Sequence, residues 1–264
     1  MQKPPVCLTI AGLDPSGGAG TIADIKTFSA FGCFAAAAIA SITFQNTVEV
    51  SGAEHQPAMT VRRQVEPIIA DYEIAALKTG MLPTREVIEE TGKLFRKMTG
   101  AKFVLDPVVR STSGFDLIDD DALRSLIEFL FPLADIITPN RPEAERITGI
   151  SIETPEDIAA AASVMQSMGA RNVLIKGGHM IETRSEGRAV DHLFIGQEIH
   201  VLEAEFIDTT ATHGTGCTLA AAITANLALG KQMLESVRIA KAFVTNAIRT
   251  APMLGHGHSP INIR

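Results

Sequence analysis

A glycine-bracketed turn at the start of an apolar helix has the clearest capacity for chemistry in this chain. It reads His213-Gly214-Thr215-Gly216-Cys217, followed by Thr-Leu-Ala-Ala. The first backbone N–H groups of a helix lack partners within the helix and lie at the positive end of its dipole, so the turn predicts an anion site. Cys217 would lie at its edge, where the dipole favours a thiolate. The alternative is a capped helix start with a buried cysteine.

A second glycine-rich loop follows the first apolar stretch of the chain. Residues 11–20 read Ala-Gly-Leu-Asp-Pro-Ser-Gly-Gly-Ala-Gly and lead into a helical pattern that contains Asp24. The loop matches neither GxGxxG nor GxxxxGK[ST], so the usual nucleotide-binding fingerprints are missing. A tight structural turn is the alternative interpretation. Two such loops on one sheet edge could instead enclose a phosphate donor and its acceptor.

Composition limits the function classes that these loops could serve. The 264 residues are 46% hydrophobic and 20% charged, with a net charge of -7, which disfavours nucleic-acid and anionic-membrane surfaces. Three scattered cysteines predict neither a disulfide framework nor structural zinc, and they favour the cytoplasm. We expect no signal peptide. The uncharged stretches 27–48 and 209–230 are interrupted by polar residues, so no membrane span is predicted.

Strand-like and helix-like segments alternate along most of the chain. The predicted strands are 6–10, 35–42, 74–78, 103–105, 135–138 and 173–176. The predicted helices are 19–31, 61–72, 84–98, 119–131, 142–147 and 155–168. A hairpin near 191–206 and helices at 216–229 and 233–250 complete the pattern, and the glycine-rich tail at 255–259 is interpreted as a surface ending.

This alternation predicts one three-layer α/β/α domain over residues 1–264, with a mostly parallel central sheet. Ligands of such sheets gather beyond the carboxyl ends of the strands, where both glycine loops fall. The function should therefore be sought at that edge.

Seven motifs occur in the order found in hydroxymethylpyrimidine and phosphomethylpyrimidine kinases, which the chain resembles from residue 7 to about residue 250. They are Asp-Pro-Ser-Gly-Gly-Ala-Gly at 14–20, Gln-Asn-Thr at 45–47, Lys-Thr-Gly-Met-Leu at 78–82, Asp-Pro-Val at 106–108, Thr-Pro-Asn-Arg-Pro-Glu at 138–143, Lys-Gly-Gly-His at 176–179 and Thr-His-Gly-Thr-Gly-Cys-Thr at 212–218. The resemblance implies a ribokinase-like fold. It also implies ATP- and Mg²⁺-dependent phosphorylation of 4-amino-5-hydroxymethyl-2-methylpyrimidine and then of its monophosphate, on the route to thiamine diphosphate.

The resemblance assigns the acceptor site to five residues. Gln45 can accept from an exocyclic amine and donate to a ring nitrogen, which matches an aminopyrimidine edge. Met81 and Val108 would form apolar walls, with Gly12 and Asp24 near the acceptor. A structural glutamine and core methionine are the alternative interpretation.

The donor site is assigned in the same way. Asp106 and Glu143 resemble magnesium-site acids that act directly or through coordinated water, and Asn140 and Lys176 resemble ATP-phosphate contacts. Helix capping is the alternative for Glu143. The implied mechanism is in-line attack by the hydroxymethyl oxygen on the γ-phosphorus.

The anion turn would stabilise that transfer through its backbone. The amides of Gly214, Thr215, Gly216 and Cys217 would bind the transferred charge, and Cys217 occupies the position of the base. Its role as a base or as a positioning group stays open.

Two other functions remain open at this point. Some relatives with the same loops and an equivalent cysteine phosphorylate pyridoxal, and a catalytically silent ligand-binding protein could use the same fold. The expected partners are a small aminopyrimidine and ATP, with no nucleic acid and no membrane, and the resemblance suggests a homodimer.

Overall fold

Nine strands form one sheet in the parts of the chain that the computed structural model describes, residues 3–109, 117–177 and 187–264. They are β1 (Val6–Leu13), β2 (Phe34–Gln45), β3 (Val50–His55), β4 (Ile74–Thr79), β5 (Lys102–Leu105), β6 (Ile136–Ile137), β7 (Asn172–Ile175), β8 (Arg188–Ile195) and β9 (Glu198–Glu205). Their spatial order is β3-β2-β1-β4-β5-β6-β7-β8-β9. The six central strands run parallel to one another; they are β2, β1, β4, β5, β6 and β7. Antiparallel pairing adds β3 at one end of the sheet and β8 and β9 at the other.

Eight α-helices accompany the sheet over the same residues. They are α1 (Gly20–Ala30), α2 (Ala58–Asp71), α3 (Arg85–Phe95), α4 (Asp120–Leu130), α5 (Arg141–Thr148), α6 (Pro155–Ser167), α7 (Thr215–Ala228) and α8 (Met233–Arg249). A short 3₁₀ helix covers Phe131–Leu133.

Alternate side chains of the buried strands pack into separate cores on the two faces of the sheet. Leu8 and Ile10 of β1 join a core with α2 to α6, whereas Cys7 lies in another core with Phe28 of α1 and Ala221 of α7. A further core joins α7 to α8. The predicted three-layer α/β/α fold with a mostly parallel sheet is therefore confirmed.

The edge strand β3 was missing from the prediction. Its sequence, Val-Ser-Gly-Ala-Glu-His, has little apolar character, because the strand lies at the edge of the sheet and none of its residues is buried. It pairs antiparallel with β2 from Ser41 opposite His55 to Gln45 opposite Val50. Cross-strand pairing, which a local pattern does not encode, holds it in place.

Most of the glycine-rich tail at 255–259 lies at the surface as predicted, but the segment does not end there. Ser259 and Ile261 are only 2% and 4% exposed, and Pro260 forms an isolated β-bridge with His213 of the anion turn. The chain therefore returns to the predicted site before it ends.

Across the described residues, we find no helix with both the length and the apolar character needed to span a bilayer.

Candidate active site

A cavity of about 950 Å³ lies where the parallel strands end. Residues that directly follow β1, β4, β5 and β7 form much of its wall, as expected for the carboxyl edge of such a sheet. Twelve of the thirteen predicted site residues line it, namely Gly12, Gln45, Met81, Asp106, Val108, Asn140, Glu143, Lys176, Gly214, Thr215, Gly216 and Cys217. Asp24 does not. Gly178 and His179, the last residues of the Lys-Gly-Gly-His motif, lie outside the described residues.

The anion turn requires glycine at its first position. Gly214 has a φ of 86° and precedes α7 at its N-cap position, so it offers no side chain to the free N–H groups of the helix. A Cβ at Gly214 would overlap the carbonyl oxygen of Gly18 in the first glycine loop. The two loops therefore touch through their backbones, and only glycine permits both the dihedral angle and the approach.

An aspartate–histidine contact, which sequence reasoning missed, joins the same loops. Asp14 Oδ2 lies 2.7 Å from His213 Nε2 and accepts from the backbone N–H of Ala19, and the backbone N–H of Ser16 donates to Oδ1. Burial raises the pKa of Asp14, but His213 and Ser16 outweigh it and hold that pKa below its usual range. The Asp-Pro-Ser sequence signals the local turn, whereas nothing local signals His213.

The residues predicted to bind the donor include one lysine and two buried acidic side chains. Lys176 Nζ donates to Asp106 Oδ1 at 3.1 Å and lies 4.0 Å from Glu143 Oε2. The hydroxyl of Thr138 donates to the same Asp106 oxygen. Burial opposes ionisation of Asp106, but Lys176 and Lys78 outweigh it, so its pKa is lowered. Asp106 is thus a carboxylate at neutral pH.

Asn140 and Glu143 also form a capping box at the start of α5. Asn140 Oδ1 accepts from the backbone N–H of Glu143 at 2.9 Å, and Glu143 Oε2 accepts from that of Asn140 at 2.7 Å. Burial raises the pKa of Glu143 to about 7, with Lys176 opposing the shift and Asp106 adding to it. The capping alternative is therefore present in the structure, and it leaves both side chains on the cavity wall.

The residues predicted to bind the acceptor include Gly12 near the end of β1, Gln45 at the end of β2 and Met81 just after β4. Gln45 is half-buried and precedes a turn in which Asn46 Oδ1 accepts from the backbone N–H of Val48 and Glu49. Gly12 lies against Met81, since a Cβ on Gly12 would come within 3.3 Å of Met81 Sδ. Gln45, which was predicted to hydrogen-bond the acceptor, and Met81, which was predicted to form an apolar wall, thus line the same cavity.

Asp24 was expected near the acceptor, and it is the one predicted site residue that does not line the cavity. Its carboxylate is fully buried, accepts from Lys78 Nζ at 2.9 and 3.0 Å, and also accepts from the Thr9 hydroxyl at 2.6 Å. Burial lowers the pKa of Lys78, but Asp24, Cys217 and Asp106 outweigh it and raise that pKa, so the lysine is charged. Sequence reasoning missed Lys78, which lines the cavity and is held by Asp24 beneath it.

The sequence of the whole chain is similar to those of known kinases. Residues 14–262 match the phosphomethylpyrimidine kinase family. A hydroxymethylpyrimidine/phosphomethylpyrimidine kinase of Staphylococcus aureus (strain MSSA476) is 40% identical over 99% of this chain and 94% of its own. The chain belongs to the phosphomethylpyrimidine kinase family.

Solved structures agree with that membership in the family. The phosphomethylpyrimidine kinase of Clostridium difficile 630 matches with a TM-score of 0.80 and 40% identity, over 92% of this chain and 99% of its own. The pyridoxal kinase of Staphylococcus aureus, in complex with AMP-PCP and pyridoxal, matches with a TM-score of 0.89 and 32% identity, over 98% and 94%. The ribokinase-like fold expected from the sequence is confirmed.

The helix dipole, which favours the thiolate form, does not decide the protonation state of Cys217. In this member of the phosphomethylpyrimidine kinase family, burial raises the pKa of Cys217 to about 11; Lys78 opposes the shift, and Asp24 and Asp106 add to it. Loss of solvation therefore outweighs the helix dipole, which favours the thiolate only modestly. At neutral pH the group beside the anion turn is a neutral thiol.

Alkylation should report this protonation state. Because the thiolate is the nucleophile, we expect the rate of iodoacetamide reaction at Cys217 to rise about tenfold per pH unit between roughly pH 7 and pH 10. Glutathione, run alongside as a control, should level off near its own lower pKa, at about 9. Mass spectrometry of the Cys217 peptide separates this reaction from that of Cys7 and Cys33. A plateau at Cys217 below pH 9 would show that the helix dipole prevails.

Proposed function

We propose that this protein transfers the γ-phosphoryl group of ATP to 4-amino-5-hydroxymethyl-2-methylpyrimidine and then to the resulting monophosphate. The observation that carries the proposal is one cavity lined by Gln45, by the Lys176–Asp106 pair and by the anion turn. Its family membership supports the same reaction. The two products place the enzyme in the supply of the pyrimidine half of thiamine diphosphate.

Gln45 orients the acceptor. Its amide oxygen accepts from the exocyclic amine while its amide nitrogen donates to the adjacent ring nitrogen, a pairing that a carboxylate or an amine does not offer at neutral pH. Met81 and Val108 cover the ring faces, and Gly12 lets Met81 pack closely because it has no side chain. The hydroxymethyl oxygen is thereby directed toward the anion turn.

The carboxylates at the donor end suit Mg²⁺. Hard cations prefer oxygen ligands, and Mg²⁺ is commonly bound by one or two carboxylates together with substrate phosphates. Asp106 uses Oδ1 for Thr138 and Lys176, whereas its Oδ2 faces the anion turn, 3.9 Å from where a Cβ on Gly216 would lie. Asp106 and Glu143 would hold the ion, which when bound neutralises charge on the ATP phosphates. No group of three or more His, Cys, Asp or Glu side chains suited to a metal occurs in the described residues.

The chain's own groups then stabilise the transfer. Lys176 places a positive charge beside the phosphates, with Asn140 next to them, and the backbone N–H groups at the start of α7 receive the charge that develops on the transferred group. Cys217 lies beside that group as a neutral thiol and positions the attacking oxygen.

Product analysis tests the proposal. Purified protein is incubated with ATP, Mg²⁺ and either the hydroxymethylpyrimidine, its monophosphate or pyridoxal, and the products are identified by mass spectrometry. Formation of both pyrimidine mono- and diphosphate is the expected result. The absence of product from every acceptor would instead favour a silent ligand-binding protein.

Pyridoxal is the second candidate acceptor. The observation that favours it is the full-length likeness to a pyridoxal kinase whose structure holds AMP-PCP and pyridoxal. Phosphorylation of pyridoxal alone in the same experiment would replace the aminopyrimidine assignment and leave the donor and anion sites unchanged.

The neutral thiol at position 217 suggests a test of the second phosphorylation. We expect Cys217→Asp to retain at least about tenfold more relative activity in the first step than in the second, because a fixed carboxylate repels the ionised phosphate acceptor. Cys217→Ser, which is neutral, is the control and should preserve the wild-type ratio of the two rates. Equal losses in both steps, or better survival of the second, would refute this explanation.

We also propose a cytoplasmic homodimer, on the family resemblance and the three scattered cysteines. Light scattering coupled to size exclusion tests the dimer, and fractionation of the source cells tests the location.

A further inference from the structure

The end of the chain makes an unusual set of contacts with the acceptor loop. Thr47 lies two residues after Gln45 and receives three backbone N–H groups from the C-terminal segment. His256 and Gly257 donate to its hydroxyl oxygen at 3.2 and 3.3 Å, and His258 donates to its carbonyl oxygen at 2.7 Å. We call residues 255–261 the C-terminal strap.

Glycine is required in the strap because its backbone lies directly on Thr47. A Cβ on Gly255 would overlap the Thr47 hydroxyl, and a Cβ on Gly257 would overlap the Thr47 carbonyl oxygen. Gly255 also has a φ of 79°, which disfavours other residues. The Gly-His-Gly-His sequence therefore lets three successive N–H groups converge on one residue.

The other end of the strap holds the anion turn. The backbone N–H of His213 donates to the carbonyl oxygen of Ser259 at 3.2 Å, and that of Ile261 donates to the carbonyl oxygen of His213 at 3.4 Å. Pro260 also packs on the first glycine loop, since a Cβ on Gly18 would lie 2.9 Å from its side chain. Since His213 also bonds to Asp14, this end of the strap is fixed to both glycine loops.

The middle of the strap borders the cavity. His258 lines the wall, and its Nδ1 lies 3.3 Å from the carbonyl oxygen of Thr210 and 3.4 Å from the hydroxyl of Thr212. This contact requires the Nδ1–H form toward Thr210, because a carbonyl oxygen only accepts. Thr210 and Thr212 belong to the segment that leads into the anion turn.

We propose that the C-terminal strap is a positioning element of the acceptor site that sets the distance between Gln45 and the anion turn. This inference rests on the proposed function. Gln45 and the anion turn are far apart in sequence. The strap bonds to Thr47, two residues after Gln45, and to His213, which directly precedes Gly214. In-line attack tolerates little error in this distance, so the strap acts on the reacting oxygen without touching it.

The Thr47 hydroxyl gives the most selective way to test the strap. Thr47→Val keeps the shape of the side chain but leaves the N–H groups of His256 and Gly257 without their acceptor. We expect the KM for the aminopyrimidine to rise about tenfold, because the loop that carries Gln45 is no longer held at its distance from the anion turn. The KM for ATP should stay within about twofold, because the strap makes no contact with Lys176, Asp106 or Glu143.

Three further variants separate positioning from general damage. Thr47→Ser retains the hydroxyl and should restore the wild-type KM, and Gly257→Ala forces a Cβ against Thr47 and should reproduce the defect. Thr99→Val, an exposed threonine between α3 and β5, is the matched control and should change neither KM. Hydrogen exchange of the amides of His256 and Gly257 should accelerate in Thr47→Val but not in Thr47→Ser.

Each alternative outcome is distinct. If Thr47→Val and Gly257→Ala lose amide protection yet keep the wild-type acceptor KM, the strap does not position the acceptor and the inference fails. A parallel rise of both KM values with a lowered melting temperature would also overturn it, as a purely structural effect. If the wild-type protein itself phosphorylates no aminopyrimidine, the proposed function fails first, and that result is visible before any variant is compared.

Discussion

Replacing Lys176 with methionine is expected to lower the rate of phosphoryl transfer by about a thousandfold, the upper end of what one lost transition-state donor costs. Lys176 is the cation that bonds to Asp106 at 3.1 Å and approaches Glu143 at 4.0 Å. Without it, the two carboxylates face each other in a buried site, their pKa values rise and the site takes up a proton instead of holding phosphate-bound Mg²⁺. Lys176→Met should therefore lower kcat and raise the KM for ATP, and it should change the KM for the acceptor much less.

Steady-state kinetics with the aminopyrimidine check this result. Lys231→Met is the matched control, because Lys231 forms an exposed ion pair with Glu235 on α8 and should retain wild-type rates. Circular dichroism establishes that both variants are folded. A Lys176→Met enzyme within tenfold of wild type would remove this lysine from the mechanism.

The second large effect concerns stability. Lys78→Met is expected to destabilise the protein by about 3–5 kcal/mol, because it leaves the Asp24 carboxylate fully buried without its cation. For a chain of this size that corresponds to a fall in melting temperature of roughly 10 °C. Both side chains of the pair are completely inaccessible to solvent, so water does not replace the lost interaction.

A double-mutant cycle distinguishes a lost pair from a lost side chain. Lys78→Met combined with Asp24→Leu should be more stable than Lys78→Met alone, because no unpaired charge remains. Thermal unfolding of wild type, both single variants and the double variant gives the coupling energy. If the two losses simply add, the ion pair is not what holds this part of the core. The double variant should still lose activity, since the Lys78 charge lies next to Cys217 and Asp106.

Most of the fold follows from local patterns in the sequence. Apolar segments of strand length predicted six of the nine strands, because strands buried on both faces contain few polar residues. The helix predicted at 155–168 begins at Pro155 as expected, and the Thr154 hydroxyl caps it by accepting from the backbone N–H of Asp157. The exposed edge strand β3 lacks such a pattern and depends on its pairing with β2.

The loops of the candidate site were also predictable, because their chemistry is local. Gly214 predicts a left-handed turn before α7 from its place in the sequence, and strand ends in a parallel sheet converge on one edge whatever their spacing in the chain. Twelve of the thirteen residues that the anion turn and the family resemblance singled out line one cavity, because most of them lie at this edge of the sheet.

The sequence by itself determined the layered fold and the glycine turn before α7, since each follows from residues adjacent in the chain, whereas the candidate site residues came from the family resemblance. Only the tertiary structure decided how charges and hydrogen bonds are shared among them. Lys78 hydrogen-bonds to Asp24, which is 54 residues away in the sequence. The contact between His213 and Asp14 spans 199 residues, and the hydrogen bond from Gly257 to Thr47 spans 210 residues. Such pairings, and the burial that keeps Cys217 protonated, depend on which surfaces lose water together, a property of packing that no short stretch of sequence contains.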